Sequence, residues 1–388
     1  MIPIGRILAA VFAACTIAAC SPTRAIESIA VLQDLSGTSA KAAPEQRTQR
    51  LAHRFEVDGR TYAADLYVPQ DGAKAALVLV PGVTPEGKDD QRLIAFAETM
   101  SRAKFLVLVP DIATLRDLRV GPGDVTAIAD AVEHLSRRAA VSEVGLVAIS
   151  YSAGPALIAV LEERSRHRVS FLITIGGYYD IEAAAAFFTT GQFRESPAQP
   201  WQRIEPNPRG KWVFLKSNLD QIEDPRDRSL LREIAERKLR DLKADIGHLA
   251  AQLGQQGQAV YALVVNRDPG RVSGLIAALP EGIRSDMARL SPKAYGLDTL
   301  AARLFLIHGR DDQIIPYTES LALRAAAPEH QADLYIVRSL AHVDLSPMGW
   351  IDVLKFWRAI YRVLESRDEM PAPDLTTILA MAPAQFAA

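Results

Sequence analysis

The chain has 388 residues, 49% of them hydrophobic, and its 44 basic and 46 acidic side chains leave a net charge of −2. Such a composition can bury a substantial core and excludes a disordered chain, while the absence of a basic excess argues against nucleic acid as a partner. The two cysteines, Cys15 and Cys20, both lie in the first twenty residues, which excludes a disulfide framework or a thiolate metal site beyond them. Any chemistry further on must be built from Ser, His, Asp and Glu.

Taken in chain order, Arg6 comes first, followed by an apolar run over residues 7–19. The run is too short to span a bilayer and about the length of a signal-peptide core. It ends in Ile17-Ala18-Ala19-Cys20, which resembles the bacterial lipobox. That resemblance implies removal of residues 1–19, lipidation of Cys20 and a lipoprotein exported to the cell envelope. Ser21, where Asp would favour retention, implies the periplasmic side of the outer membrane rather than the inner membrane. A plain secretory signal cleaved after an alanine is the competing reading. Residues 20–50 read as a polar tether.

A hairpin is predicted over residues 53–57 and 61–68, split by the turn dipeptide Asp58-Gly59. Buried strands follow at Ala75–Val80, 105–109, Val144–Ile149, 171–175, 303–307 and 333–337, alternating with helices at Gln91–Arg102, 124–138, 153–164 and 350–364. Short apolar strands alternating with helices predict an α/β protein, its mostly parallel sheet covered on both faces. The alternation breaks over residues 181–294, read as a helical cap inserted between core segments 51–180 and 295–366. Within it, residues 181–189 and 224–252 are helical in pattern, and only 212–215 and 260–265 carry a strand signal. Residues 367–388 read as a flexible tail.

Three segments carry chemistry. The first is the strand ending Ala148-Ile149-Ser150-Tyr151-Ser152-Ala153-Gly154, which runs into a small-residue turn and a helix. A sharp strand–turn–helix junction needs small residues two before and two after a projecting nucleophile. Ser150 and Gly154 meet that need around Ser152, giving Ser-x-Ser-x-Gly. A capping serine at an ordinary junction is one competing reading. Ser150 as nucleophile is another, and would put Ser152 where the turn prefers Gly. The second segment, His308-Gly309-Arg310-Asp311-Asp312 with Ile315-Pro316, ends a strand in a loop bearing acids. The third is His342, in the loop after the last core strand.

Taken together, these segments resemble the α/β-hydrolase family, in its serine esterase and dienelactone-hydrolase-like branch. The similarity covers about residues 54–365 apart from the cap, and Asp65-Leu66-Tyr67-Val68-Pro69 points to that branch. It implies a triad in the chain order Ser152, Asp312, His342, with Asp312 favoured over the adjacent Asp311 by its spacing. His342 would take the Ser152 proton and Asp312 would orient the imidazole. The backbone N–H groups of Ala153 and Val83 would form the oxyanion hole. The reading expects a small ester as substrate, a bilayer reached through the lipid anchor, and neither cofactor nor metal. An amidase or peptidase could use the same triad, and a non-catalytic binding lipoprotein could keep the same fold. Tyr178, Tyr179, Phe187, Phe188, Phe193 and Trp201 either line an acyl pocket under the cap or simply pack it onto the core.

Overall fold

A computed structural model describes residues 21–37, 48–196, 198–342, 344–345 and 348–376. Its centre is an eight-stranded sheet of β1 (Thr48–Val57), β2 (Arg60–Pro69), β3 (Ala75–Val80), β4 (Phe105–Pro110), β5 (Val144–Ile149), β6 (Val169–Ile175), β7 (Arg303–Gly309) and β8 (Ala332–Val337). Their spatial order is β1-β2-β4-β3-β5-β6-β7-β8. Strands β3 to β8 run parallel, while β2 is antiparallel to both β1 and β4. The β1–β2 hairpin closes on Asp58 at φ 49° and Gly59 at φ 77°, the two left-handed positions of a type I′ turn that Asp-Gly adopts readily.

Strands β3, β4 and β5 are apolar at nearly every position because helices cover both faces of the sheet. On one face, Val78, Leu106, Leu146 and Leu172 meet α3 (Pro122–Arg138) and α4 (Ala153–Leu161). Ile128, Val132 and Leu135 form the buried stripe of α3, each worth roughly 2 kcal/mol in burial. On the other face, Leu77, Val107, Val147, Phe171 and Phe305 lie under α1 (Pro22–Leu35), α2 (Gln91–Arg102) and α9 (Trp350–Glu369). After β3 the chain passes first to β4 and later to β5 on the opposite side. The carboxyl ends of β3 and β5 therefore flank a switch point, where open α/β sheets bind ligands.

Several sequence expectations change. Residues 22–35 are a helix, not a tether: Ser21 caps α1 through its side chain, and Arg24 pairs with Glu365 and Asp368 of α9 at 3.1 Å each. Residue 367, expected to open a flexible tail, is instead packed: Arg367 is 1% exposed and donates to Ala103 O at 2.8 Å. The chain is described as far as residue 376, where Asp374 N donates to Ala139 O. The cap contains α5 (Ile181–Thr190), α6 (Pro225–Arg240) and α7 (Gln255–Val265) with shorter helices, and among its described residues the strands are only two residues long. Both strand-like runs are helical, at Gly210–Ser217 and within α7. Their β-branched and aromatic residues pack into the cap's own core, where Trp212, Leu215, Val260 and Val264 are buried; tertiary packing overrides so weak a local preference. The predicted 224–252 helix stops at Arg240. Asp227, fully buried, accepts Gly254 N and Gly257 N at 2.6 Å each and fixes α6 to the start of α7.

Candidate active site

Strand β5 ends at Ile149, and Ser150 takes φ 60°, a left-handed conformation costly for any residue with a Cβ. A single 3-10 turn, Ser150–Ser152, then leads into α4. The strained residue presents its hydroxyl to the carboxyl end of the sheet, where Ser150 Oγ lies 2.7 Å from His342 Nε2. His342 Nδ1 lies 2.8 Å from Asp312 Oδ2. If Nδ1–H donates to the carboxylate, Nε2 is left as the acceptor for the Ser150 hydroxyl.

Ser152 does not reach this pair, which corrects the expected nucleophile. Its hydroxyl donates to Ile149 O at 2.8 Å and accepts from Ile149 N at 3.1 Å, and the residue is fully buried. It closes the turn under Ser150. The spacing rule for the junction is satisfied in both registers, because Ala148 and Ser152 flank Ser150 as Ser150 and Gly154 flank Ser152. Gly154 is small for another reason: a Cβ there would lie 2.2 Å from the Tyr178 ring. The distinguishing signal is the end of the strand. Ser150 directly follows the last apolar strand residue and opens the 3-10 turn, whereas Ser152 ends it.

The same shift of two residues corrects Ala153 as oxyanion donor, because its N–H donates to Ser150 O. The amide that follows the strained serine is that of Tyr151, in the first turn, where helical N–H groups have no carbonyl one turn back. Val83 lines the cleft shared by Ser150 and His342, and its loop lies beside the strand end, with Gly82 against Ile149.

Asp312 is fully buried, and its Oδ1 accepts Ile314 N at 2.7 Å and Ile315 N at 3.0 Å. Burial alone would raise its pKa; hydrogen bonds from His308 and His342, with their charges, outweigh that and hold the carboxyl well below the usual range. Asp311, next in sequence, is exposed. His308 is buried between Ser320 Oγ at 2.7 Å and Ile315 O at 3.0 Å, a position that braces the acid loop. His342 itself has φ 58°. The loop that carries it is tied to α9 by Asp352, whose Oδ2 accepts Arg338 N and Ser339 N at 2.9 Å each.

Two residues that the sequence pattern does not single out complete the surroundings. Gly176, at φ 63°, sits so close that a Cβ would lie 3.3 Å from both Asp312 Oδ2 and His342 Nδ1. The signal for it is its place just after β6, whose last residue pairs with Ile307 of β7. Glu319, 3% exposed, accepts Tyr179 N and Asp180 N at 3.0 and 2.7 Å, and burial pushes its pKa up to about 7.

None of the six aromatics expected at the cap lines the cleft shared by Ser150 and His342. Phe187, Phe193 and Tyr317 form one cluster, Tyr178 OH donates to Leu290 O, and Phe188 stacks edge-on to Phe214. Trp201 is exposed under the Arg194 guanidinium. Cys20 lies outside the described residues. Among those described, no group of three His, Cys, Asp or Glu gathers as a metal site, and no helix is long and apolar enough to cross a membrane.

No family model matches the chain, and no curated protein matches it in sequence. Solved structures do. A protein of Legionella pneumophila described as a hydrolase is similar at a TM-score of 0.50 and 13% identity, over 89% of this chain and 95% of that one. A meta-cleavage product hydrolase of Pseudomonas fluorescens is similar at 0.41 and 17%, over 82% and 98%. An esterase of Pyrobaculum calidifontis is similar at 0.44 and 11%, over 89% and 91%. The sheet order, the helices on both faces and the first of these likenesses make this an α/β-hydrolase fold.

Proposed function

We propose that the protein is a serine hydrolase of carboxylic esters with Ser150 as nucleophile, His342 as general base and Asp312 as the residue that orients it. The observation that carries this reading is the continuous chain from Ser150 Oγ through His342 to Asp312, at 2.7 and 2.8 Å, ending on a serine at φ 60°. Distances of this length let a proton move as attack begins.

The reaction divides into two displacements. Ser150 Oγ attacks the ester carbonyl while its proton passes to His342 Nε2. The tetrahedral oxyanion is held by the N–H groups of Tyr151 and Val83, at the start of a helix whose dipole favours negative charge. The carbon–alkoxy bond breaks, His342 returns the proton to the leaving alkoxide, and an acyl-Ser150 ester remains. Water, deprotonated by His342, attacks that ester; the Ser150–acyl bond breaks as His342 returns the proton to Ser150 Oγ, and the carboxylic acid leaves. Asp312, held ionised, stabilises the imidazolium in both halves.

Export and anchoring form the second part of the proposal. Ile17-Ala18-Ala19-Cys20 supports lipidation of Cys20, and Ser21 N, one residue on, donates to Tyr361 OH of α9 at 2.9 Å. A lipid on Cys20 would thus be carried close against the folded body. The decisive experiment is labelling with a fluorophosphonate, expected for the wild type and Ser152→Ala but not for Ser150→Ala. A label lost only in Ser152→Ala would restore the other register. Comparison of p-nitrophenyl esters with aminoacyl p-nitroanilides separates esterase from amidase.

A further inference from the structure

The cleft that opens at Ser150 and His342 has a volume of about 840 Å³ and runs away from the cap, along the sheet face covered by α1, α2 and α9. Its floor near Ser150 is Ile149, Ile175 and Ile307, and deeper in it is Ile173 and Phe105. One wall is Phe356, Ala359 and Val363 of α9, spaced by three and four so that they share a face over roughly 10 Å. The facing wall is Leu93, Phe96 and Met100 of α2, of equal length, and Val31 and Leu35 of α1 roof the far part.

We propose that this cleft holds the alkyl chain of the substrate, so that the ester cleaved at Ser150 is that of a long-chain fatty acid. The inference rests on the serine hydrolase reading and names its substrate class. Protein interiors are close-packed, and a gap of this size lined by aliphatic and aromatic side chains is not a packing tolerance. It falls within the range of ligand pockets. Its charged lining residues are satisfied or at the surface: Asp34 pairs with Arg102, Arg92 pairs with Asp90, and Asp311 is exposed. A charged or hydroxylated acyl group would lose its water without gaining a partner among the isoleucines, whereas methylenes lose nothing. Of the described cap residues, only Asn207 is in the lining. The α1 roof also places the far part of the cleft beneath the helix that follows Cys20.

The test uses the full chain and a series of p-nitrophenyl alkylphosphonates with two, eight and sixteen carbons, which phosphonylate the serine and release p-nitrophenol. The second-order inactivation rate is expected to rise with chain length, by up to about fourfold per methylene buried. Ala359→Phe, which fills the middle of the cleft, is expected to lower the ratio of long-chain to short-chain rates at least tenfold. Should that variant fail to fold, Val363→Phe makes the same block one turn further along α9. Rates that are flat or falling with length in the wild type, or a ratio unmoved by a folded blocking variant, overturn the acyl-chain site and leave the hydrolase standing. If no phosphonate of any length reacts, the hydrolase reading itself fails, and this one with it.

Discussion

Two serines two residues apart share one turn, and their surroundings give them opposite work. Ser150 is strained and bonded to His342; Ser152 is relaxed and bonded to the Ile149 backbone. Ser150→Ala is therefore expected to lower kcat by more than about a thousandfold, as loss of a triad nucleophile does. Ser152→Ala removes the turn's two hydrogen bonds and should cost about 1 kcal/mol of stability, measured by denaturant unfolding, with most of the activity retained. Equal losses of activity in the two variants would contradict this division. At Gly176, a methyl group would meet a left-handed backbone and press on the Asp312–His342 hydrogen bond from 3.3 Å. Gly176→Ala is expected to reduce kcat about tenfold or more, because small misplacements of catalytic groups are costly. A kcat within twofold of the wild type would remove Gly176 from the site's support. At this scale Asp312 and His342 are legible in the sequence, since each lies in a loop directly after a buried strand. The serine is less so, because a rule demanding only small neighbours fits both registers; in the sequence only its place directly after the last apolar strand residue favours Ser150, and φ 60° decides.

At the scale of elements, the loop after β6 is locked by a buried group whose charge depends on pH. Glu319 lies on α8 (Thr318–Ala326) and accepts two amides of the Tyr179-Asp180 loop, with its pKa pushed up to about 7 by burial. Because the folded value lies above the ordinary 4.5, the folded state holds this proton more tightly than the unfolded chain does. The stability this contributes is fully present below about 4.5 and is lost as pH rises to about 7. Glu319→Gln keeps an oxygen for the amides and does not ionise. Its melting temperature relative to the wild type should therefore rise steadily between pH 5 and 7; parallel profiles would show that Glu319 does not titrate in that window. The strands and the helices that cover them are legible because apolar runs and 3.6-residue stripes mark them directly. Gln91–Arg102 and Val144–Ile149 fall where the pattern puts them. The helix over residues 22–35 shows its marks more faintly. Ser21-Pro22 opens it and Ala25, Ser28, Val31 and Leu32 form its buried stripe, but it is held in place by distant partners, Arg24 with Glu365 and Asp368, that no local pattern announces. The cap's strand-like runs mislead for the same reason: their apolar residues answer to a core assembled from other helices.

For the whole molecule, the docking of α1 changes what an anchor at Cys20 would do. A flexible tether of thirty residues would let the body tumble far from a membrane. Instead Ser21 is bonded to Tyr361, Trp357 Nε1 donates to Ala25 O, and Arg367 pairs with Glu27. Exposed apolar side chains lie on the same two helices, at Ile26 of α1 and at Trp350, Ile351 and Leu354 of α9. Lipid on Cys20 would bring α1, and with it the roof of the cleft, next to the bilayer, the source of long acyl chains. One acyl chain holds a protein only marginally, so stable anchoring needs several chains or added surface contact. The full chain expressed in a bacterium with radiolabelled palmitate should incorporate label and sediment with membranes. Cys20→Ser should do neither, while its soluble fraction still reacts with a fluorophosphonate at Ser150. Label retained by Cys20→Ser would place the modification elsewhere. A wild-type chain secreted unlabelled would mean that residues 7–19 act as a plain secretory signal and that α1 serves the cleft alone.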